Sequence, residues 1–432
     1  MTELLIRGGR VIDPSRGTDG IADLYIKEGR IEAVGRNIAL DPGVEVVDAA
    51  GKVVAPGLID LHVHLREPGF EHAETIATGA MSAAAGGFTA VCAMPNTDPV
   101  TDSQATVGFV VRQAIRAGKA RVYPIGAVSL GQKGEQLTEF GEMVQAGAVA
   151  VSDDGKPVAT SHLMRTALEY ARTFGIPVAD HCEDMSLAAG GAMHEGLIAA
   201  RLGLKGIPSA AEEIMVARDI ILAELTGGHV HLCHMSTRGS VELIRWAKSK
   251  GLKVTAEATP HHFTLTHERC LGYDTNAKMN PPLREAADRE AIRQGLADGT
   301  LDCIASDHAP HHYDTKEREF DDAPNGIVGL ETALGLALRE LVEPGLLSLP
   351  DLIARMSTIP ARIFRLPGGT LAVGAPADVV VCDVTRRWAV RREDLHSKST
   401  NSPFLGETLV GQADLTIVGG RVVFNRSDRP VS

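Results

Sequence analysis

The stretch "VVAPGLIDLHVHLREPG" (residues 53–69) decides the architecture of the chain. An apolar, β-rich run ends in Asp60, His62, His64 and Arg66 at alternate positions, and in a strand such residues point to one side. Ordinary packing does not place two imidazoles, a carboxylate and a guanidinium together at the end of a buried strand. Further apolar runs follow at 88–96, 120–128, 147–154, 175–182, 228–234, 252–259 and 301–308, and with 57–64 they make eight. Amphipathic segments such as "AETIATGAMSAAAGG" (73–87) and "SAAEEIMVARDIILAEL" (209–225) lie between them at helical spacing. Eight strand–helix units predict an α/β fold, a (β/α)8 barrel. The alternative, a doubly wound open sheet, is weakened by the lack of G-x-G-x-x-G after the first strand.

Outside this region the pattern changes. The runs "LLIRGGRVID" (4–13), "ADLYIKEGRIEAVG" (22–35) and "VEVVDAAGKVV" (44–54) are β-rich and broken by glycine. So are "ADVVVCDV" (377–384), "RRWAV" (386–390) and "LTIVGGRVVF" (415–424). Neither end has enough strands to stand alone, so the two are expected to meet in one small β-sandwich. The expected division is 1–54 and 367–432 for the sandwich and 55–366 for the barrel.

The 432 residues are 44% hydrophobic and 23% charged with a formal net charge of −12, which argues against a nucleic-acid partner. Six cysteines without C-x-x-C spacing read as reduced core residues. The N-terminal "MTELLIRGGRVID" lacks the order of a signal peptide, and no apolar run reaches membrane-spanning length, so a cytoplasmic location is expected.

The polar residues collect at the C-terminal ends of the predicted barrel strands. His62 and His64 end strand one, Asp153 and Asp154 strand four, His181 strand five, His234 strand six and Asp307 strand eight. In a barrel those ends share the catalytic rim. Singly, each histidine reads as a hydrogen-bonded structural residue and Asp153 as a helix N-cap. Jointly they read as a metal centre. Imidazoles with carboxylates suit Zn²⁺ or a similar divalent ion in an open site. Six candidate ligands exceed the three a single catalytic zinc takes, which favours two ions bridged by a carboxylate. The chemistry implied is hydrolysis, or its reversal, at an amide-like carbon. Arg66, beside two candidate ligands, has a planar fork suited to a substrate carboxylate.

The motifs "DLHVHLREPG" (60–69), "AMPNT" (93–97), "SDDG" (152–155), "DHCED" (180–184), "CHMST" (233–237), "MNPPLR" (279–284) and "SDHAPH" (306–311) together resemble the dihydroorotase family of cyclic amidohydrolases, in the order of type I bacterial members. The resemblance runs through "GIVGLET" (326–332), "GTLAVGAPADVVV" (369–381) and "SKSTNSPFLG" (397–406) and so covers essentially the whole chain. It implies one zinc on His62, His64 and Asp307 and a second on His181 and His234, with Asp154 as the bridge in place of the carboxylated lysine of many amidohydrolases. Lys156 is read as a loop residue. It further implies a zinc-bridged hydroxide as nucleophile and Asp307 as general base turned general acid. The reaction is the interconversion of N-carbamoyl-L-aspartate and L-dihydroorotate in pyrimidine biosynthesis. Arg66, Asn96 and His311 would hold the free carboxylate and Asn280 the ring. Asn325 and Gly326 would line the pocket from the polar segment 311–329, expected to be a mobile cover. A homodimer is implied, and an association with aspartate transcarbamoylase stays open. Two other readings remain: a hydantoinase, dihydropyrimidinase or allantoinase on the same barrel, and a non-catalytic scaffold subunit.

Overall fold

The computed structural model describes residues 3–39 and 43–428. Barrel strands Leu58–Val63, Phe88–Ala93 and Arg121–Pro124 form one parallel ladder, and Val178–Asp180, Val230–Leu232, Val254–Ala258 and Cys303–Ile304 form another. Val151 joins the two through parallel bridges to Gly126 and Val178, and a Val63–His308 bridge closes the ring. All eight expected positions are therefore filled in order. The fourth is shorter than the run 147–154 suggests. Asp153 accepts hydrogen bonds from the Ser129 amide (3.0 Å) and hydroxyl (2.5 Å), which turns the chain out of the ladder and presents Asp154. Asp153 is thus a brace rather than a cap; Thr160 caps the following helix Ser161–Phe174.

Helices on the outside start at hydroxyl caps, as at Ile76–Ala85 (Thr75) and Gln104–Ala117 (Ser103), where a threonine three residues on completes the box. Their apolar faces pack on strand residues such as Val91, Val178, Leu232 and Ala256 to form the main core. The barrel interior holds Ile59, Leu61, Ile125, Cys92, Cys233 and Cys303, with Phe364 among them. All six cysteines are buried and free, as their scatter implied.

Both termini enter one eight-stranded sheet. Val53–Pro56 lies at its centre, with Val54 paired to Val11 of Leu4–Asp13 on one side and to Val381 of Val379–Ala389 on the other. Leu4, Ile6, Leu24, Ile26, Val379 and Ile417 fill a core separate from that of the barrel. The two G-G-R-V stretches fold differently. In Leu4–Asp13 the glycines fall at a register shift within a continuous strand, whereas Gly419 and Gly420, both at positive φ, turn the hairpin between Thr408–Val418 and Arg421–Asn425.

The sheet is tied to the barrel by Arg121, whose guanidinium meets Asp378 in a fork (2.9 and 3.0 Å), while the Gly419 amide donates to the same carboxylate at 2.7 Å. The Asp378 side chain is only 3% exposed. Replacing Asp378→Ala should lower stability by about 2 kcal/mol, the scale of a hydrogen bond to a charged group, measured as a drop in urea midpoint; an unchanged midpoint would show that the sheet docks without this pair.

Candidate metal centre

Five strand ends deliver the six predicted ligands to one point. Asp154 lies at its middle, and its two oxygens face different histidine pairs. Oδ2 is 3.4 Å from both His62 Nε2 and His64 Nε2. Oδ1 is 3.3 Å from His234 Nε2 and 3.6 Å from His181 Nδ1. Asp307 Oδ1 closes the first group at 3.1 Å from His64 and 3.6 Å from His62. His181 Nδ1 and His234 Nε2 approach to 2.9 Å, two ring nitrogens converging on one place. Lys156 turns elsewhere, to the Gln132 carbonyl.

A divalent cation fits this donor set. His62 Nε2 is buried, has no hydrogen-bond partner and points into the cluster, an arrangement that costs free energy unless an acceptor of its lone pair is supplied. His62, His64 and Asp307, and likewise His62, Asp154 and His234, bring ligand atoms within 4.8 Å of one another. Burial opposes ionisation of Asp154, yet His62, His181 and His234 prevail and hold its carboxyl well below the usual range. Asp307 is likewise held far below it against burial, by its hydrogen bond to His64 and the charges of His62 and His234. Both carboxylates are thus ready to ligate. Three non-glycine residues here, Arg66, His234 and Asp307, have φ of 62°, 38° and 47°, a left-handed backbone that is uncommon for residues with a side chain, although Glu28, Asn37, Gln132, Tyr273 and Arg365 share it elsewhere.

Above the cluster is a cavity of about 250 Å³ lined by His64, Asp154, His181, His234 and Asp307, with His62 beneath them. All six residues expected to contact substrate, Arg66, Asn96, Asn280, His311, Asn325 and Gly326, line the same cavity. Several also serve the ligands. Asn96 Oδ1 accepts from His64 Nδ1 (2.9 Å), leaving Nε2 for the cluster. Gly155, at φ +87°, lets Asn96 approach, since a Cβ there would lie 2.9 Å from its Nδ2. Arg66 donates to the Pro310 carbonyl (3.1 Å) and lies 3.2 Å from His311 Nε2. Burial lowers the Arg66 guanidinium to about 10, offset by Asp307 and Asp154, so it stays cationic at neutral pH. His311 is pushed down to about 2 by burial and by Arg66, and is neutral.

The segment 311–329 is held in shape by side-chain hydrogen bonds to its carbonyls. Lys316 Nζ donates to the Pro324 and Gly326 carbonyls (2.8 and 3.1 Å), and Asn401 Nδ2 to those of Ala309 and Gly326 (3.2 and 3.0 Å). Its residues His311, Asn325 and Gly326 form a wall of the cavity. Sequence reasoning missed Glu183, which accepts from His181 Nε2 (3.2 Å) and Asn280 Nδ2 (3.0 Å), although it stands two residues after a predicted ligand in "DHCED". Asp60, grouped with the histidines by alternation, instead accepts from the His62 and Ser306 amides and joins the first barrel strand to the last.

Comparisons with known proteins agree with this geometry. Residues 51–240 match the family model described as dihydro-orotase-like, and 242–424 that of the amidohydrolase family. A dihydroorotase of Citrifermentans bemidjiense is 56% identical over 98% of this chain and 99% of its own, and one of Pelobacter propionicus 54% over 98% and 100%. The chain belongs to the dihydroorotase family. Among solved structures, this dihydroorotase-family chain is similar to the L-hydantoinase (dihydropyrimidinase) of Arthrobacter aurescens (TM-score 0.88, 27% identity, 100% of this chain and 98% of that one). It is also similar to a dihydropyrimidinase of Brevibacillus agri (0.85, 25%, 98% and 95%). The barrel with its terminal sheet is common to them. No helix among the described residues is long and apolar enough to cross a membrane.

Chelator-treated protein should show a pH signature of the cluster. Burial lowers the His181 imidazolium, but Asp154 and Glu183 outweigh it and raise the group to about 10. A raised folded-state value gives stability that is full below the unfolded value of about 6.5 and lost as pH rises through about 10. The Tm with chelator should therefore fall between those limits. Added Zn²⁺ should raise Tm more at about pH 9 than at about pH 6.5, because the ion replaces protons; an equal Zn²⁺ effect at both would exclude competition between the two.

Proposed function

We propose that the chain is a zinc-dependent dihydroorotase that interconverts N-carbamoyl-L-aspartate and L-dihydroorotate in pyrimidine biosynthesis, with two zinc ions per subunit. The observation that carries this reading is the pairing, in one cavity, of a divided histidine cluster with a half-buried cationic Arg66. The first suits amide chemistry and the second a substrate carboxylate. When bound, the ions would polarise the reacting carbonyl and acidify the attacking water.

The chain's own residues do the rest. Arg66, Asn96 and His311 hold the free carboxylate, Arg66 through its fork and Asn96 through the amide nitrogen that its bond to His64 leaves available. Asn280 orients the ring, with Asn325 and Gly326 against its edge. Asp307, ionised and on the cavity wall, takes a proton from the attacking water and delivers it to the departing ring nitrogen. In the cyclising direction the same carboxylate takes the ureido proton as nitrogen closes on the side-chain carboxyl, and returns it to the carboxyl oxygen whose C–O bond breaks, so that water leaves. A barrel reaching to residue 366, preceded by the sheet segment, whose first boundary moves from the expected 54/55 to beyond Pro56 because Val53–Pro56 pairs within the sheet, belongs to the same reading, as do a homodimer and a cytoplasmic location.

The hydantoinase and dihydropyrimidinase neighbours make a ring without a carboxylate the competing substrate. The hydrolysis rates of L-dihydroorotate and dihydrouracil by zinc-reconstituted protein decide between them. Dihydroorotate should be strongly preferred, and Arg66→Met should cut its kcat/KM by about 100-fold, the loss of roughly 3 kcal/mol of charged hydrogen bonding, without reducing the dihydrouracil rate. Preference for dihydrouracil would reassign the substrate, and turnover of neither would remove the enzymatic reading.

A further inference from the structure

A buried line of polar side chains runs from the ligand cluster down through the barrel. His62 Nδ1 lies 2.8 Å from Glu257 Oε1, and Glu257 Oε2 lies 3.0 Å from His231 Nε2. His231 Nδ1 lies 2.9 Å from Thr255 Oγ1, and the same oxygen lies 2.9 Å from His229 Nε2. The sheet register explains the alignment. His231 pairs with Thr255 across adjacent parallel strands, and Glu257 stands two residues beyond Thr255 on the same face. His62, His231 and Glu257 are each fully buried, so the bonds that join them are made away from water, while Thr255 and His229 at the far end are half-buried.

Glu257 determines the direction of those protons. It accepts on both oxygens, from His62 and the His234 amide (3.3 Å) on one and from His231 on the other, and it donates to none. His62 must then direct an Nδ1 proton at Glu257, which leaves the partnerless Nε2, aimed at the cluster, as the atom available to an ion. His231 must carry its proton on Nε2, so Thr255 donates to its Nδ1 and accepts from His229. Each donor finds one acceptor in a single sense. Among uncharged replacements, an amide would have to donate at one end, and an apolar side chain would leave two rings unpartnered.

We infer that Glu257, backed by His231, is a positioning residue that sets the tautomer and ring orientation of His62 for metal binding. The inference rests on the metal reading of the cluster. A carboxylate behind a ligating histidine typically changes metal affinity by about 10- to 100-fold when removed. In Glu257→Met the ion on the His62, His64 and Asp307 side should bind about 10- to 100-fold more weakly, while the ion on the His181 and His234 side changes by less than about 2-fold. Glu257→Gln should fall between Met and wild type, since reversing the protons of His231, Thr255 and His229 restores one acceptor for His62.

Competitive titration of each variant with Zn²⁺ and Co²⁺ against a chromophoric chelator reads the two affinities separately, with no need of activity. Wild-type affinity at both positions in Glu257→Met would overturn the inference, as would an equal loss at both, which marks a general structural defect. A second measurement needs no variant. In zinc-loaded wild type carrying ¹⁵N-histidine, His62 should show a proton coupled to Nδ1, and a proton on Nε2 would overturn the inference even if Glu257→Met failed to fold. Wild-type protein that bound neither ion would remove the metal reading itself, a result distinct from normal binding with an insensitive Glu257.

Discussion

Everything at the catalytic rim depends on one buried carboxylate shared among four imidazoles. Asp154 could not stay ionised at such depth without compensating partners, because transfer from water costs a carboxylate several kcal/mol. The compensation comes from residues on strands one, five and six, so the charge is tolerable only when the barrel has closed and brought them together. Ring closure and site assembly are therefore one event. The division of its oxygens between two histidine pairs is a further consequence, since each oxygen reaches a different side of the barrel mouth.

Around this centre lies a second layer that holds the ligands by their remote atoms. Asn96 holds His64, Glu183 holds His181, Glu257 holds His62, and Asp153 turns out the strand end that carries Asp154. Hydrogen bonds of this kind are strong where water is excluded, and an unmade one is costly, so the layer keeps the ligands in a narrow range of orientations. Two of these supports, Asn96 and the Asn280 that leans on Glu183, also face the cavity. The cavity and the cluster thus share side chains. The solved hydantoinases keep the same frame with about a quarter of the residues. Opposite the cluster the cavity presents the cationic Arg66 and its neutral neighbour His311, and function lives in such groups rather than in the shared fold.

Much of the site was legible because its residues break local rules. Histidines and aspartates at the ends of apolar strands contradict the burial preference of their surroundings, and the eightfold recurrence gives them a common rim. Glu257 breaks the same rule in "VTAEAT", yet a lone acid inside a strand carries no sign of its partner, which lies 195 residues away in His62. Alternation alone could not separate the role of Asp60, which shares the spacing of His62 and His64 but turns to the Ser306 amide because strand eight closes against strand one there. The two G-G-R-V stretches show the same limit. Identical letters make a register shift in one strand and a hairpin turn in the other, according to whether a neighbouring strand continues past the glycines.

The sequence by itself determined the alternation of strand and helix, the polar residues at the strand ends and the composition of the ligand set, because these follow from local periodicity and side-chain chemistry. The tertiary structure alone decided which oxygen of Asp154 meets which histidines, which carboxylates face the cluster and which brace it from behind, and how residues of 311–329 line the cavity. Those outcomes depend on distances of a few ångströms between strands far apart in the chain, and only closure of the barrel sets them.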